Sequence, residues 1–241
     1  MTENYSVFSE KHLLKASDFD CFGNLAPRII LELFASAAKN HAEKLGIGFE
    51  EMLAKNLLWV ILKTKFDIIK NPAKDQIVTV QTWPKKPRRL DFEREYLILS
   101  ESGEVLIKGS SQWAVIDSNT RRLAKADNVY YKIDEFYSKQ NYEEKLLRVE
   151  DFIPFGKGKK IKMLRCHLDS NNHVNNAHYA DFVLEAINSA EKMNIRQMQI
   201  DFHKELLEGD TVEVFYQKDE NGILAKGVIN DATMFSCRIL F

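Results

Sequence analysis

Cysteine is scarce: Cys21, Cys166 and Cys237 are the only three in 241 residues, and no two stand in a C-x-x-C spacing. An odd, scattered set argues against a disulfide framework or a cysteine zinc site and suits a reducing cytoplasm. Histidine is thin and dispersed as well. His12, His41, His167, His173, His178 and His203 form no H-E-x-x-H pattern, so no metal is expected. Long apolar runs are missing, and none approaches the roughly 18 to 20 residues that a membrane span needs. Met1 to Ser9 is polar and acidic, with neither the apolar core of a signal peptide nor the Arg/Ser-rich character of a transit peptide. Net charge is nearly absent too, at −1. That balance, with one short basic run lacking interleaved aromatics, speaks against a nucleic-acid binder. The expectation is a cytoplasmic globular protein. At 45% hydrophobic it has ample core material, and its length allows one large domain or two of roughly 120 residues.

What the chain does have is a repeat. Phe66-Asp67-Ile68-Ile69-Lys70 and Ile200-Asp201-Phe202-His203-Lys204 share an apolar-Asp-apolar-any-Lys pattern 134 positions apart, and Val78 and Val80 fall on Val212 and Val214 at the same offset. Ile30, Leu33, Phe34, Ala37 and Ala38 have the spacing of an amphipathic helix; Tyr179, Phe182, Val183, Ala186 and Ile187 repeat it 149 positions later. Asp20, Asn24 and Leu25 then fall on Asp169, His173 and Val174. The offsets differ by 15 residues, which places an insertion after Gly46 in the first copy.

Each half reads as strand, helix, four strands. The first has a strand at Val7–Leu14, a helix at Pro27–Leu45 and strands at Leu57–Ile69, Ile77–Trp83, Leu90–Leu99 and Val105–Ile116. The second has a strand at Ile161–Cys166, a helix at Asn176–Met193 and strands at Arg196–Lys204, Thr211–Gln217, Ile223–Val228 and Thr233–Leu240. Pro27 suits a first helical position and Gly46 a stop, and Asn71-Pro72, Ser102-Gly103, Glu208-Gly209 and Asn221-Gly222 supply turns. From about Asn119 to Lys160 the chain is polar and Lys/Glu-rich, with Tyr130, Tyr131, Phe136 and Tyr137 to order it in part. The class is α+β, and two copies can join their sheets edge to edge and leave fewer open edges.

The densest polar cluster, Asp169-Ser170-Asn171-Asn172-His173-Val174-Asn175-Asn176, lies directly before the second helix. Capping explains one or two of its asparagines. It does not explain a His flanked by four Asn and an Asp. A helix start also offers free N–H groups and partial positive charge to a polarised carbonyl oxygen. The first copy is an internal control. It keeps Asp20 but puts Phe22 and Asn24 opposite Asn171 and His173, and Asn71 opposite Glu205. Titratable groups in one copy alone favour one active site there. Glu205 taken alone reads as a surface carboxylate.

Asp169-Ser170-Asn171-Asn172-His173-Val174-Asn175-Asn176-Ala177-His178-Tyr179 resembles the D-x-N-x-H-V-N-N-x-x-Y signature of the acyl-acyl carrier protein thioesterases. Trp113 to Leu123, ending Thr120-Arg121-Arg122-Leu123, resembles that family's Trp–apolar–T-R-R-L segment. Arg88-Arg89-Leu90-Asp91-Phe92 and Phe202-His203-Lys204-Glu205 give lesser support. The resemblance implies a tandem, double hot-dog fold: two long helices, each wrapped by an antiparallel sheet. Residues 1–135 would be a non-catalytic copy with the acyl pocket, 136–159 a linker and 160–241 the catalytic copy. It also implies hydrolysis of the thioester between a fatty acyl chain and acyl carrier protein, with Asp169, Asn171, His173 and Glu205 catalytic. Plant members carry a Cys directly after that Glu. Here Leu206 stands there, which excludes a Cys–His covalent route at that position. Cys166, at the end of a predicted strand, reads as a buried structural thiol.

The mechanism expected is attack by water. Glu205 or His173 takes its proton, with the choice left open. Asn171 positions the water or the substrate, and Asp169 orients the Asn or His side chain. N–H groups of the second helix hold the oxyanion. A thiol leaves readily, so neither metal nor cofactor is required. The basic residues Lys85, Lys86, Arg88 and Arg89, with Arg121 and Arg122, suit docking of an acidic carrier protein or its pantetheine phosphate, against a solvated hairpin as the plainer alternative. The helix face from Ile30 to Ala38, with Trp59, is expected to line core and acyl pocket together. Other functions stay in view: an acyl-CoA thioesterase, a hydratase or dehydratase, or a non-catalytic acyl- or carrier-binding module. A closed homodimer is the default assembly.

Overall fold

The structure, a computed structural model, describes residues 6–188 and 192–241. In chain order it has β1 (Phe8–Leu13), α1 (Pro27–Lys44), α2 (Phe49–Leu53), β2 (Leu57–Ile68), β3 (Ile77–Pro84), β4 (Phe92–Leu99), β5 (Val105–Asp117), β6 (Lys159–Lys162), α3 (His178–Ile187), β7 (Gln197–Phe202), β8 (Thr211–Asp219), β9 (Gly222–Ile229) and β10 (Ala232–Leu240). The strands form one antiparallel sheet in the order β1-β3-β4-β5-β2-β7-β10-β9-β8-β6. Its second five strands repeat the first five in mirror order, so the halves meet edge to edge at β2 and β7. Lys65 pairs with Gln199 there, flanked symmetrically by Lys63 with Asp201 and Asp67 with Gln197. Lys65 and Gln199 are equivalent in the repeat, so a pseudo-twofold axis passes between them. The fold is a double hot-dog.

Each sheet half wraps its helix because strand alternation and helix periodicity aim apolar side chains at one another. Ile30, Leu33, Phe34, Ala37 and Ala38 are buried against Phe66, Tyr96, Ile98 and Ile107. Phe34 stacks on Tyr96 with ring centroids 4.3 Å apart. In the second half Tyr179 meets Phe202 and Phe235 edge-on at 5.2 and 5.1 Å. Gly46, at φ +69°, ends the first helix as expected. The second helix is shorter than its periodicity suggests. It starts at His178 and stops at Ile187, where Asn188 takes a left-handed φ of +42°. Of the expected extension to Met193, residues 189–191 lie outside the described set.

The insertion after Gly46 contains α2. It closes a second apolar cluster made of Leu45, Ile47, Met52, Leu57, Phe92 and Val115 with their neighbours. Trp59 packs against this cluster: its Nε1 donates to the Ile47 carbonyl at 3.0 Å, and its ring meets Phe92 edge-on at 5.0 Å.

The polar segment after β5 is an ordered strap on the sheet face away from the helices. It crosses strand after strand. Trp83 donates to the Lys139 carbonyl at 2.9 Å, and Asn141 Nδ2 donates to the carbonyls of Tyr96 and Gly109 at 2.7 and 2.9 Å. Tyr142 lies between the ammonium groups of Lys65 and Lys108, at 4.7 and 4.8 Å. Gln199 donates to the Leu147 carbonyl at 2.7 Å, and Lys226 reaches Asp151 at 2.7 Å. The strap covers the polar residues of the outer face, which is why this face is not apolar. No helix among the described residues is long and apolar enough to cross a membrane.

Candidate active site

The polar loop before α3 is folded by Asp169. Its Oδ1 accepts the backbone N–H groups of Asn171 and His173 at 2.8 and 3.3 Å, and its own N–H donates to the His173 carbonyl at 2.8 Å. Asn172 makes the return at φ +62°, a left-handed conformation that Asn tolerates well. These bonds of Asp169 run to the loop backbone. Asn175 then starts the helix, its Oδ1 accepting the Ala177 N–H at 3.0 Å. The loop is laid against the chain leaving β7. The Val174 N–H donates to the Leu206 carbonyl at 2.9 Å, and His173 is bridged to Leu207.

That seam brings His173 and Glu205 together, with Nε2 3.5 Å from Oε2. A second cation closes on the same carboxylate. Arg121 Nη2 lies 3.4 and 3.3 Å from the two Glu205 oxygens. The three side chains are 37%, 44% and 54% exposed, so the cluster is open to solvent. Asn171, two residues before His173, is exposed.

The first copy builds the same loop with different contents. Asp20 Oδ1 accepts from the N–H groups of Phe22 and Asn24 at 2.9 and 2.8 Å, and Gly23 makes the return at φ +80°. Asn71 there donates to Asn24 Oδ1 at 3.0 Å and accepts the Leu25 N–H at 3.0 Å. The architecture is duplicated, whereas the titratable pair is not.

The basic residues divide. Arg121 sits on Glu205, and Arg122 is exposed while its carbonyl accepts the Asp117 N–H at 2.8 Å. Lys86, Arg88 and Arg89 are exposed on the β3–β4 hairpin. Lys85 turns inward onto Glu93 at 2.5 Å and Glu95 at 3.9 Å. A groove of about 730 Å³ runs between this hairpin and the strap at Phe136 and Tyr137; its lining includes none of Asp169, Asn171, His173 and Glu205. Register places the hairpin, the Arg121 turn and Glu205 at one end of the sheet, because Phe92 pairs with Trp113, Leu57 with Asp117 and Lys63 with Asp201.

Cys166 is exposed, contrary to expectation. Strand β6 ends at Lys162, and Cys166 lies in a short 3-10 turn at Arg165–His167 that lifts it off the sheet. Cys237 is the buried thiol, and burial pushes its pKa up, away from nucleophilic use. Leu206 is fully buried and serves the seam through its carbonyl. Among the described residues no group of three or more His, Cys, Asp or Glu is placed to hold a metal.

A double hot-dog with a His–Glu–Arg cluster in one of two equivalent loops defines a structural class. Within that class the chain belongs to the acyl-ACP thioesterase family: the family's N-terminal domain matches residues 5–133 and its C-terminal domain residues 156–235. It is 27% identical over 234 residues to the chloroplastic oleoyl-acyl carrier protein thioesterase 1 of Arabidopsis thaliana, covering 88% of this chain and 64% of that one. A chloroplastic palmitoyl-acyl carrier protein thioesterase of Gossypium hirsutum is 27% identical over 193 residues, covering 75% and 47%. The chain thus spans about half to just under two thirds of the length of these relatives. The crystal structure of an acyl-ACP thioesterase from Bacteroides thetaiotaomicron matches with a TM-score of 0.84 at 21% identity over 100% of both chains. The 12:0-ACP thioesterase of Umbellularia californica matches at 0.81 and 19%, over 97% of this chain and 96% of that one. These likenesses establish the fold.

Proposed function

We propose that this chain hydrolyses the thioester between a fatty acyl group and acyl carrier protein, with its one active site in the second copy. The observation that carries this reading is the convergence of His173, Glu205 and Arg121 on an open loop whose twin in the first copy puts the amides of Asn24 and Asn71 in place of the His and the Glu. Water attacks the carbonyl carbon while Glu205 or His173 takes its proton. The C–S bond breaks, the thiolate leaves and is protonated, and the products are a fatty acid and the carrier thiol. Asn171 holds the water or the carbonyl, and N–H groups at the start of α3 receive the oxyanion. Asp169 keeps this loop in shape.

Residues 1–135 form the non-catalytic copy in this reading and 160–241 the catalytic one, joined by 136–159. The acyl chain runs into the first copy, towards the apolar cluster around Trp59 at the active-site end of β2. The exposed Lys86, Arg88, Arg89 and Arg122 at that same end offer positive charge to an acidic carrier. A cytoplasmic location suits free thiols at Cys21 and Cys166. A homodimer completes the proposal and is read from the molar mass in solution. The test is thiol release from one acyl group presented on carrier protein and on coenzyme A. Faster release from the carrier supports the proposal. Equal or faster release from coenzyme A removes the carrier as preferred substrate. Acyl binding without release removes the enzyme.

A further inference from the structure

We infer that Arg121 is a positioning residue: reaching across from the first half of the molecule, it holds the Glu205 carboxylate against His173. This rests on the hydrolase reading above.

The argument begins with what a carboxylate lacks. Ionised Glu accepts hydrogen bonds but donates none, so its place in a loop depends on donors supplied from outside. The twin site shows the contrast. Asn71 anchors itself, because its Oδ1 takes the Leu25 N–H at 3.0 Å while its Nδ2 donates to Asn24 Oδ1 at 3.0 Å and to the Gly23 carbonyl at 3.4 Å. Glu205 has no equivalent arrangement. The backbone donor corresponding to Leu25 is Val174, and it is bonded to the Leu206 carbonyl at 2.9 Å. His173 lies 3.5 Å away, longer than a good hydrogen bond. Arg121 Nη2, one atom shared between the two carboxylate oxygens at 3.3 and 3.4 Å, is also at long range, and draws the Glu205 carboxylate by charge from the first half of the molecule.

The backbone that presents Arg121 is specialised for that reach. Arg121 has φ +58°, a conformation that costs a non-glycine residue on the order of 1 kcal/mol or more. Asp117 imposes it. Its Oδ1 accepts the N–H groups of Asn119 and Thr120 at 3.0 and 2.7 Å and the Thr120 hydroxyl at 3.0 Å. The Asp117 carbonyl takes the Arg121 N–H at 2.9 Å. The Ser118 N–H donates to the carbonyl of Asn56, itself at φ +56°, so the turn is also tied to the start of β2. Two turns, each with one left-handed residue and joined by that bond, aim a first-half arginine at the second-half carboxylate. The ion pair is half exposed and contributes little to stability. Its consequence is geometric, and belongs in kcat.

Arg121→Ala and Arg121→Lys are compared with wild type for thiol release and thermal midpoint. The expected result is a fall in kcat of about tenfold to a hundredfold in Arg121→Ala, with KM and the midpoint nearly unchanged, and partial recovery in Arg121→Lys, whose ammonium keeps the charge but not the reach of the guanidinium. In a Glu205→Gln background, read as single-turnover rates at high enzyme concentration, Arg121→Ala adds no further loss. A rise in KM without a fall in kcat, or losses that multiply in that background, would show Arg121 gripping substrate and overturn the positioning role. An unchanged kcat overturns it as well. A silent wild type is a different failure: it removes the hydrolase reading, and this role with it.

Discussion

Asn71 donates to Asn24 at 3.0 Å in the place where, one repeat later, Glu205 faces His173 at 3.5 Å. The two pairs close the same seam between the same two elements, and only the second can move a proton. Duplication therefore separates what the fold requires from what the chemistry requires. Asp20 and Asp169 are common to both loops and belong to the fold. His173 and Glu205 occur in one and, on the proposed function, belong to the reaction.

This separation predicts the behaviour of Asp169. Its carboxylate accepts two backbone N–H groups, and an amide oxygen can do the same. Asp169→Asn is expected to keep most of the activity, within about tenfold. Asp169→Ala, which leaves both donors unpaired, is expected to lose more than a hundredfold and about 1–2 kcal/mol of stability. Steady-state rates and urea unfolding measure both. Equal losses in the two variants would mean that the charge itself takes part in the reaction.

Glu95 predicts a pH dependence of stability. It is fully buried under the strap, where it faces Lys85, Glu93, the Ser110 hydroxyl at 3.3 Å and the Asn141 N–H at 3.1 Å. Burial pushes its pKa up to about 7. In the unfolded chain it titrates near an ordinary value of about 4.3. Between the two, the folded protein keeps a proton that the unfolded chain has released, so this group's contribution to stability is present at low pH and is lost as pH rises through about 7. Glu95→Gln cannot ionise. Its stability relative to wild type should rise between pH 5 and 8 by about 3 kcal/mol. Parallel urea profiles for the two proteins across that range would refute the proton on Glu95.

Gly109 carries the close approach of α1 to the sheet. A Cβ there would stand 2.2 Å from Phe34 Cε2 and 2.9 Å from the Lys65 carbonyl. Phe34 is held in place by its stack on Tyr96, so it has little room to retreat. Gly109→Ala is expected to cost about 2–3 kcal/mol of unfolding free energy, with partial recovery in Gly109→Ala/Phe34→Leu. A loss below about 0.5 kcal/mol in the single variant would show the helix to be free to shift.

Most of the fold was legible because it is written in period and repeat. The α1 face from Ile30 to Ala38 follows helical spacing, and the offset of 134 reappears at the centre of the β2–β7 seam, where Lys65 pairs with Gln199. The misses have local causes. Helix α3 stops where Asn188 turns left-handed, a choice that the apolar spacing up to Ile187 does not encode. Cys166 reads as a strand residue until β6 ends early in a 3-10 turn. Arg121 was visible as charge next to Arg122, but its aim at Glu205 depends on a non-glycine left-handed turn and on a seam between halves 84 residues apart. The only signal available was its place in Thr120-Arg121-Arg122-Leu123.

The most direct measurement compares twin positions. Thiol release from fatty acyl-carrier protein is followed for wild type, His173→Ala and Asn24→Ala, with folding of each checked by its thermal midpoint. His173→Ala is expected to lose about a hundredfold or more, while Asn24→Ala retains the wild-type rate. Full activity in His173→Ala, or an equal loss at Asn24, would contradict a single active site in the second copy.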